Sequence, residues 1–290
     1  MLFRTGPGFL ATLQSQLEKL PYETIKKVDS NRGLEIQSLI RLLLKPQDYS
    51  VDCPEPPTSS DVKKYDDIDE DTFNLGLDAI ESGQVAYCIL AGGAGTRAGG
   101  SKGLLKIPRL DLSLLGIKLI QSVPSRHVWV MTSPMNDAEM KSHMASLSFK
   151  GDVKLFQQYQ SVRLTPDNCL HLEDGEPSFY PCGHGDVIPA LKESGILDEF
   201  ISGGGKYVFI VNVDNVLAAL DPSLVGHHIK ANKPVTCQVV EKLPTDTGGL
   251  LCDVAGTNQV VEQFRIMGDV DLTQFKWLNT NSMVFDATLD

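Results

Sequence analysis

Apolar residues recur along this chain in two rhythms. Near the N-terminus they come at mostly helical spacing, first as Phe9, Leu10, Leu13, Leu17 and Leu20 with Pro21 breaking the run, then as Leu34, Ile36, Leu39, Ile40 and Leu43. These predict two amphipathic helices, within 8–28 and 34–44, that serve packing rather than chemistry. Residues 45–61 are rich in Pro, Ser and acidic side chains and read as a linker; 65–71 is an acidic run expected on a solvated surface. Together these divide the chain into an N-terminal helical segment with its linker (1–60) and a larger unit (61–290). The second rhythm begins after a helix predicted at 72–82 and closed by Gly83. Short apolar runs at 85–91, 128–132, 153–156, 207–211 and 235–240 have the length and composition of buried strands. Helical patterns at 136–147, 187–194, 197–201 and 221–232 separate them, and 249–253 with 259–263 reads as a strand pair. Strands alternating with helices predict an α/β fold on a mixed, mostly parallel sheet. Ligands in such folds lie at the carboxyl ends of the strands.

The run at 85–91 empties directly into Gly92, Gly93, Gly95, Gly99, Gly100 and Gly103, with the cations Arg97 and Lys102 inside the segment. Glycine lets a ligand approach the main chain, and successive bare N–H groups form an anion-binding concavity. Arg and Lys add mobile positive charge. The stretch therefore reads as a phosphate-binding loop. A P-loop would need Ser or Thr after the lysine, where Gly103 stands. A dinucleotide fingerprint is met on paper by Gly93, Gly95 and Ala98, but Gly99, Gly100 and Gly103 oppose the helix that must follow, at about 1 kcal/mol each relative to Ala.

Composition narrows the picture. With 290 residues, 42% of them hydrophobic, the chain can bury a full core. A net charge of −11 argues against general binding to nucleic acid or anionic membranes, but not against a nucleotide held by a local basic loop. The six cysteines are scattered, with no zinc spacing. No signal-peptide pattern opens the chain, and no apolar run approaches the ~20 residues that span a bilayer. A cytoplasmic, soluble protein is the expectation.

Four further segments carry candidate chemistry. Gln157 and Gln158 end the strand near 153–156, and a glutamine amide can read a base edge or simply face solvent. Pro181-Cys-Gly-His-Gly-Asp186 sets His184 between glycines before a helix, a place for an anion, or alternatively a turn capped by Asp186. Asn212-Val-Asp-Asn215 follows the strand at 207–211; Asp214 is placed as a Mg²⁺ ligand, with an Asx-turn as the alternative. Gly249, Glu262 and Asn279 lie in later strand-like segments, where Glu262 either accepts sugar hydroxyls or faces solvent.

Taken in order, these motifs resemble the UDP-sugar pyrophosphorylase family. Leu90-Ala-Gly-Gly-Ala-Gly-Thr-Arg97 with a following Lys-Gly is similar to its nucleotide-binding loop. Gly183-His-Gly-Asp186 and Asn279-Thr-Asn281 resemble segments of UDP-glucose pyrophosphorylases, while Ala91 and Thr96-Arg97 also resemble UDP-N-acetylhexosamine pyrophosphorylases. The resemblance implies a Rossmann-like nucleotidyltransferase sheet of the GT-A-like type and a uridylyltransferase that makes UDP-sugar and pyrophosphate from UTP and a sugar 1-phosphate with Mg²⁺. Arg97 and Lys102 would act on the triphosphate; Leu90, Ala91, Gly92, Gly93, Gln158, Gly183 and Asn212 would bind the nucleotide. His184, Asn212, Asp214, Gly249, Glu262 and Asn279 would hold the sugar phosphate, and Asp214 the metal. Ser101 stands where the family has proline, which leaves Lys102 and Lys106 as candidates for the triphosphate lysine; Lys102 is favoured because Gly103 follows it. The family continues past the Asn-Thr-Asn strand to a further lysine and a C-terminal domain, so this chain is expected to lack part of the family fold. A UTP- or UDP-sugar-binding protein without turnover, and a nucleotidyltransferase for another nucleotide or a cyclitol phosphate, are the alternatives.

Overall fold

A computed structural model describes residues 7–25, 28, 40, 49–93, 95, 100–147 and 149–289. Eight strands form the central sheet: β1 (Val85–Leu90), β2 (His127–Thr132), β3 (Val153–Gln157), β4 (Tyr207–Asn212), β5 (Val235–Glu241), β6 (Gly249–Val254), β7 (Thr257–Glu262) and β8 (Trp277–Asp286). Their order is β7-β6-β8-β4-β1-β2-β3, with β5 also paired to β8. β1 is buried along its whole length, which is why it reads as an unbroken apolar run.

The sheet is mixed, as expected, but parallel pairing is confined to the block β4-β1-β2-β3. β8 is antiparallel to β4, β5 and β6, and β6 is antiparallel to β7. The reason lies in the connections. β6 and β7 are joined by a tight turn at Ala255 and Gly256, which permits only an antiparallel partner.

Helices cover both faces. On one side α2 (Glu70–Glu81), α3 (Leu114–Gln121), α4 (Asp137–Ser146) and α7 (Pro222–Ala231) supply Ile80, Leu115, Met140 and Val225 to a core with Tyr87, Ile89, Val130 and Phe209. On the other, α5 (Val187–Glu193) and α6 (Ile196–Ser202) bury Leu191 and Phe200 against Cys88, Trp129 and Ile210. α2 and α7 touch backbone to backbone: a Cβ on Gly226 would stand 1.8 Å from the Thr72 carbonyl oxygen. α3 is not signalled by periodicity. Its sequence is apolar nearly all round, and its one cation, Lys118, is buried too, so no polar face marks the helical repeat. Ser113 starts it by accepting from the Gly116 N–H at 3.0 Å.

The N-terminal helix α1 (Pro7–Leu17) buries Leu13 and Leu17 in a separate cluster with Ile25, Val28, Val162 and Leu170. The second expected helix, at 34–44, lies outside the described residues apart from Ile40. The stretch read as a linker is attached to the sheet region. Val51 and Asp52 pair in parallel with Ile266 and Met267, and Glu55 bridges Asp253.

One irregularity positions the site. Leu278 of β8 pairs with Val240 of β5 and with Leu250 of β6, so β5 and β6 take opposite edges of β8 there. Further along, β4 pairs with residues 283–286 on the edge away from β5. β6 and β4 thus share one edge of β8 and part company around residues 279–282. Asn281 has φ +57° at this fork, a left-handed conformation rare outside glycine. The fork opens at the carboxyl end of β4.

Candidate functional site

Register brings the predicted loops together. Asn212 lies beside Leu90, Leu90 beside Met131, and Met131 beside Phe156. The residues that follow each of them therefore leave the sheet from one edge. Val213 extends this pairing by donating to the Leu90 carbonyl at 3.1 Å.

Gln158 is 3% exposed, and its Oε1 accepts from the Gly183 N–H at 2.8 Å. Its own N–H donates to the Thr132 carbonyl at 2.9 Å. A Cβ on Gly92 would lie 2.0 Å from Gln158 Nε2 and 2.8 Å from that carbonyl. Glycine is required at 92 because the glutamine amide lies directly on the main chain there. Of the two glutamines, Gln158 enters the site, while Gln157 hydrogen-bonds Asp137.

The glycine loop is held from below by residues that sequence reasoning did not select. Asn136 Nδ2 donates to the Ala91 carbonyl at 2.8 Å, and its Oδ1 accepts from the Ser133 N–H at 2.9 Å. Thr132 donates to Asp137 at 2.7 Å, and Ser101 to Glu139 at 2.9 Å. Polar residues at 132–139 directly after an apolar strand were the available signal. Gly95 has φ +59°, and its carbonyl accepts from the Gly100 N–H at 3.3 Å, closing the loop on itself. Arg97 lies outside the described residues, as does the rest of 96–99.

Lys102 opens a short 3-10 turn and reaches across to Asp214, Nζ to Oδ2 2.6 Å. Both side chains stay partly open to solvent, at 45% and 37% exposure. Lys106 pairs instead with exposed Asp111 at 3.1 Å. The lysine brought to the strand ends is therefore Lys102. His184 stands exposed in the turn after Gly183, whose φ is +107°. Surrounding protein atoms depress the His184 pKa; Asp214 raises it and Lys102 lowers it further, so the three form one electrostatic group. Asp186 does not cap the helix after it. Its carboxylate accepts from the Tyr159 N–H at 3.2 Å, which ties the histidine turn to the end of β3.

A second group forms on the β6 side of the fork. Gly249 pairs with Glu262, and a Cβ on Gly249 would lie 3.4 Å from Glu262 Oε1 and 3.7 Å from Asn279 Cβ. Glu262 is exposed, and Asn279 donates to Asn281 Oδ1 at 2.8 Å. Asn215 Nδ2 donates to the Thr280 carbonyl at 3.5 Å, linking the Asp214 loop to β8. Asn212 Oδ1, at the mouth of the fork, is buried with no hydrogen-bond partner among the described residues, leaving an acceptor there.

Among the described residues no group of three His, Cys, Asp or Glu could enclose a metal ion. Asp214 is instead a lone, accessible carboxylate. That donor set suits Mg²⁺, which takes one or two carboxylates together with substrate phosphates.

Residues 37–288 match the family described as UTP–glucose-1-phosphate uridylyltransferase. A probable UTP–glucose-1-phosphate uridylyltransferase of Schizosaccharomyces pombe is 30% identical over 258 residues, 81% of this chain and 49% of that protein. The chain thus spans about half the length of this curated relative. Among solved structures, the uridine diphosphate N-acetylglucosamine pyrophosphorylase of Trypanosoma brucei, in complex with inhibitor, superposes with a TM-score of 0.70 at 22% identity, over 98% of this chain and 62% of that one. A mutant UDP-glucose pyrophosphorylase of Leishmania major in complex with UDP-glucose gives 0.70 at 18% identity, over 98% and 64%. The two structures share this fold, and the match over most of the chain's length decides the rest: the chain belongs to the UTP–glucose-1-phosphate uridylyltransferase family.

Proposed function

We propose that this chain transfers a uridylyl group from UTP to a sugar 1-phosphate, giving UDP-sugar and pyrophosphate, on a nucleotidyltransferase sheet of the GT-A-like type. The observation that carries the reading is the meeting of Lys102 and Asp214, at 2.6 Å, at the same strand ends where Gln158 lies on Gly92. An oxygen of the sugar phosphate attacks the α-phosphorus of UTP in line, and the bond to the pyrophosphate oxygen breaks. No covalent enzyme intermediate is needed. Both reactants are anionic, so positioning and charge neutralisation lower the barrier.

Gln158, locked by Gly183, and the main chain of residues 90–93 offer amide groups to the uracil edge. Lys102 exchanges Asp214 for the triphosphate and, with Arg97, holds the leaving pyrophosphate, which needs no general acid. His184 donates to the sugar phosphate. The unpartnered Asn212 Oδ1 accepts from a substrate hydroxyl, and Gly249, Glu262 and Asn279 line the sugar. Mg²⁺ held by Asp214 would supply charge neutralisation at the α-phosphate. A cytoplasmic location belongs to the same reading.

Pyrophosphate release from UTP with glucose 1-phosphate or N-acetylglucosamine 1-phosphate tests the proposal, alongside melting curves with UTP, ATP and NAD. Release that requires UTP and one of the sugars is expected, with stabilisation by UTP. Stabilisation by NAD and not UTP would overturn it.

A further inference from the structure

The Asp214 loop is clamped from beneath. Residues 214–218 turn two carbonyls inward, and three side chains meet them. The Ala218 carbonyl accepts from Lys118 Nζ at 2.6 Å and from the Tyr87 hydroxyl at 2.9 Å. The Val216 carbonyl accepts from Gln121 Nε2 at 2.6 Å, and Gln121 Oε1 in turn accepts from Lys118 at 2.9 Å. Lys118 is 0% exposed. Neutral donors would satisfy these carbonyls at lower cost, because burying an ammonium is unfavourable unless its charge is answered. Among the described residues no carboxylate bonds Lys118 directly; its acceptors are a carbonyl and an amide oxygen. Burial pushes the Lys118 pKa down to about 8, and Asp214, acting through space, opposes that shift.

We propose that Lys118 is a positioning residue for Asp214. It fixes the loop by its bond to Ala218 and, through Gln121, by the bond to Val216. Lys102, which faces Asp214 from the open side, is free to leave for a phosphate; Lys118 is not. The loop that carries Asp214 therefore keeps its place through the exchange, and presents the same carboxylate oxygens to a metal before and after Lys102 departs. This rests on the reading of Asp214 as the metal carboxylate.

The experiment uses the whole chain and two readouts. Lys118→Met keeps the side chain's length and removes its charge and donors; Gln121→Met removes one neighbouring donor and guards against a Lys118 variant that fails to fold. Amide hydrogen exchange over residues 214–218 reads the clamp without any ligand. Mn²⁺ binding in the presence of UTP, followed by electron paramagnetic resonance, reads the carboxylate. Faster exchange confined to this loop is expected in both variants. Lys118→Met should also weaken Mn²⁺ binding about tenfold or more, as loss of an outer-shell partner does, while Gln121→Met weakens it less. If both variants fold with loop exchange and Mn²⁺ affinity unchanged, the inference is overturned while the functional reading stands. If wild type binds no Mn²⁺ with UTP, the functional reading falls, and unchanged loop exchange would then remove the clamp as well.

Discussion

Replacing Gly92 by alanine isolates the contact on which the nucleotide side of the proposed site depends. Gly92 does not have positive φ, so alanine is not strained by the backbone itself. The difficulty is space. The new methyl would lie 2.0 Å from Gln158 Nε2 and 2.8 Å from the Thr132 carbonyl. The carbonyl is main chain at the end of β2 and already accepts from the Gln158 N–H at 2.9 Å, so it cannot retreat. The glutamine amide must leave instead, breaking its bond to Gly183. Overpacking of this kind costs about 1–3 kcal/mol, and the lost hydrogen bond adds about 1 kcal/mol. Gly92→Ala should therefore lose about 2–4 kcal/mol. At roughly 2–4 °C per kcal/mol for a chain of this size, the melting temperature falls by several degrees, and stabilisation by UTP is lost. Gly93→Ala is the control, because no atom of the described residues stands within 4 Å of its Cβ position. It should melt within ~1 °C of wild type. A Gly92→Ala protein that melts with the control and keeps its UTP response would refute the rigid contact between residues 92 and 158.

Asp214→Asn should abolish metal-dependent turnover yet change stability little, since the half-exposed pair with Lys102 is worth only about 0–1 kcal/mol; undiminished turnover would remove Asp214 from the chemistry. Gly226→Ala should destabilise by about 1–3 kcal/mol or more in urea unfolding, because its methyl would meet the Thr72 carbonyl at 1.8 Å and force α2 and α7 apart; an unchanged midpoint would contradict that crossing. Burial lowers the pKa of His127, His227 and His228. The unfolded chain then takes up protons near pH 6.5 more readily than the fold does, so stability present above about pH 6.5 is lost as the pH falls. His228, 1% exposed between Thr236 and Asp286, should dominate. Melting curves from pH 8 to 5 should therefore slope less in His228→Gln than in wild type, and equal slopes would reject the assignment.

Much of this protein is local in origin. β1, β2 and β4 are legible because strands buried on both faces need uninterrupted apolar runs. α7 is legible because Asp221 caps one end and Asn232, with φ +49°, ends the other. The glycine loop, the histidine turn and Asp214 are legible because close backbone approach and charge at a strand end demand particular residue types. α3 stayed hidden because it has no polar face: even its exposed Ile120 is apolar. So did the antiparallel hairpin of Gln160–Val162 with Phe179–Pro181, whose partners meet across a long excursion of the chain. The antiparallel half of the sheet and the fork at residues 279–282 follow from how β8 shares its edges, which no single segment encodes. The resemblance favours Lys102 over Lys106 and Gln158 over Gln157, but only the fold brings the chosen lysine to its partner: Lys102 meets Asp214 across 112 positions of sequence. Residue type and spacing determine which chemistry a loop can offer. Strand order and register determine which loops share a site, because they depend on pairings between distant segments whose energies are settled together in the folded core.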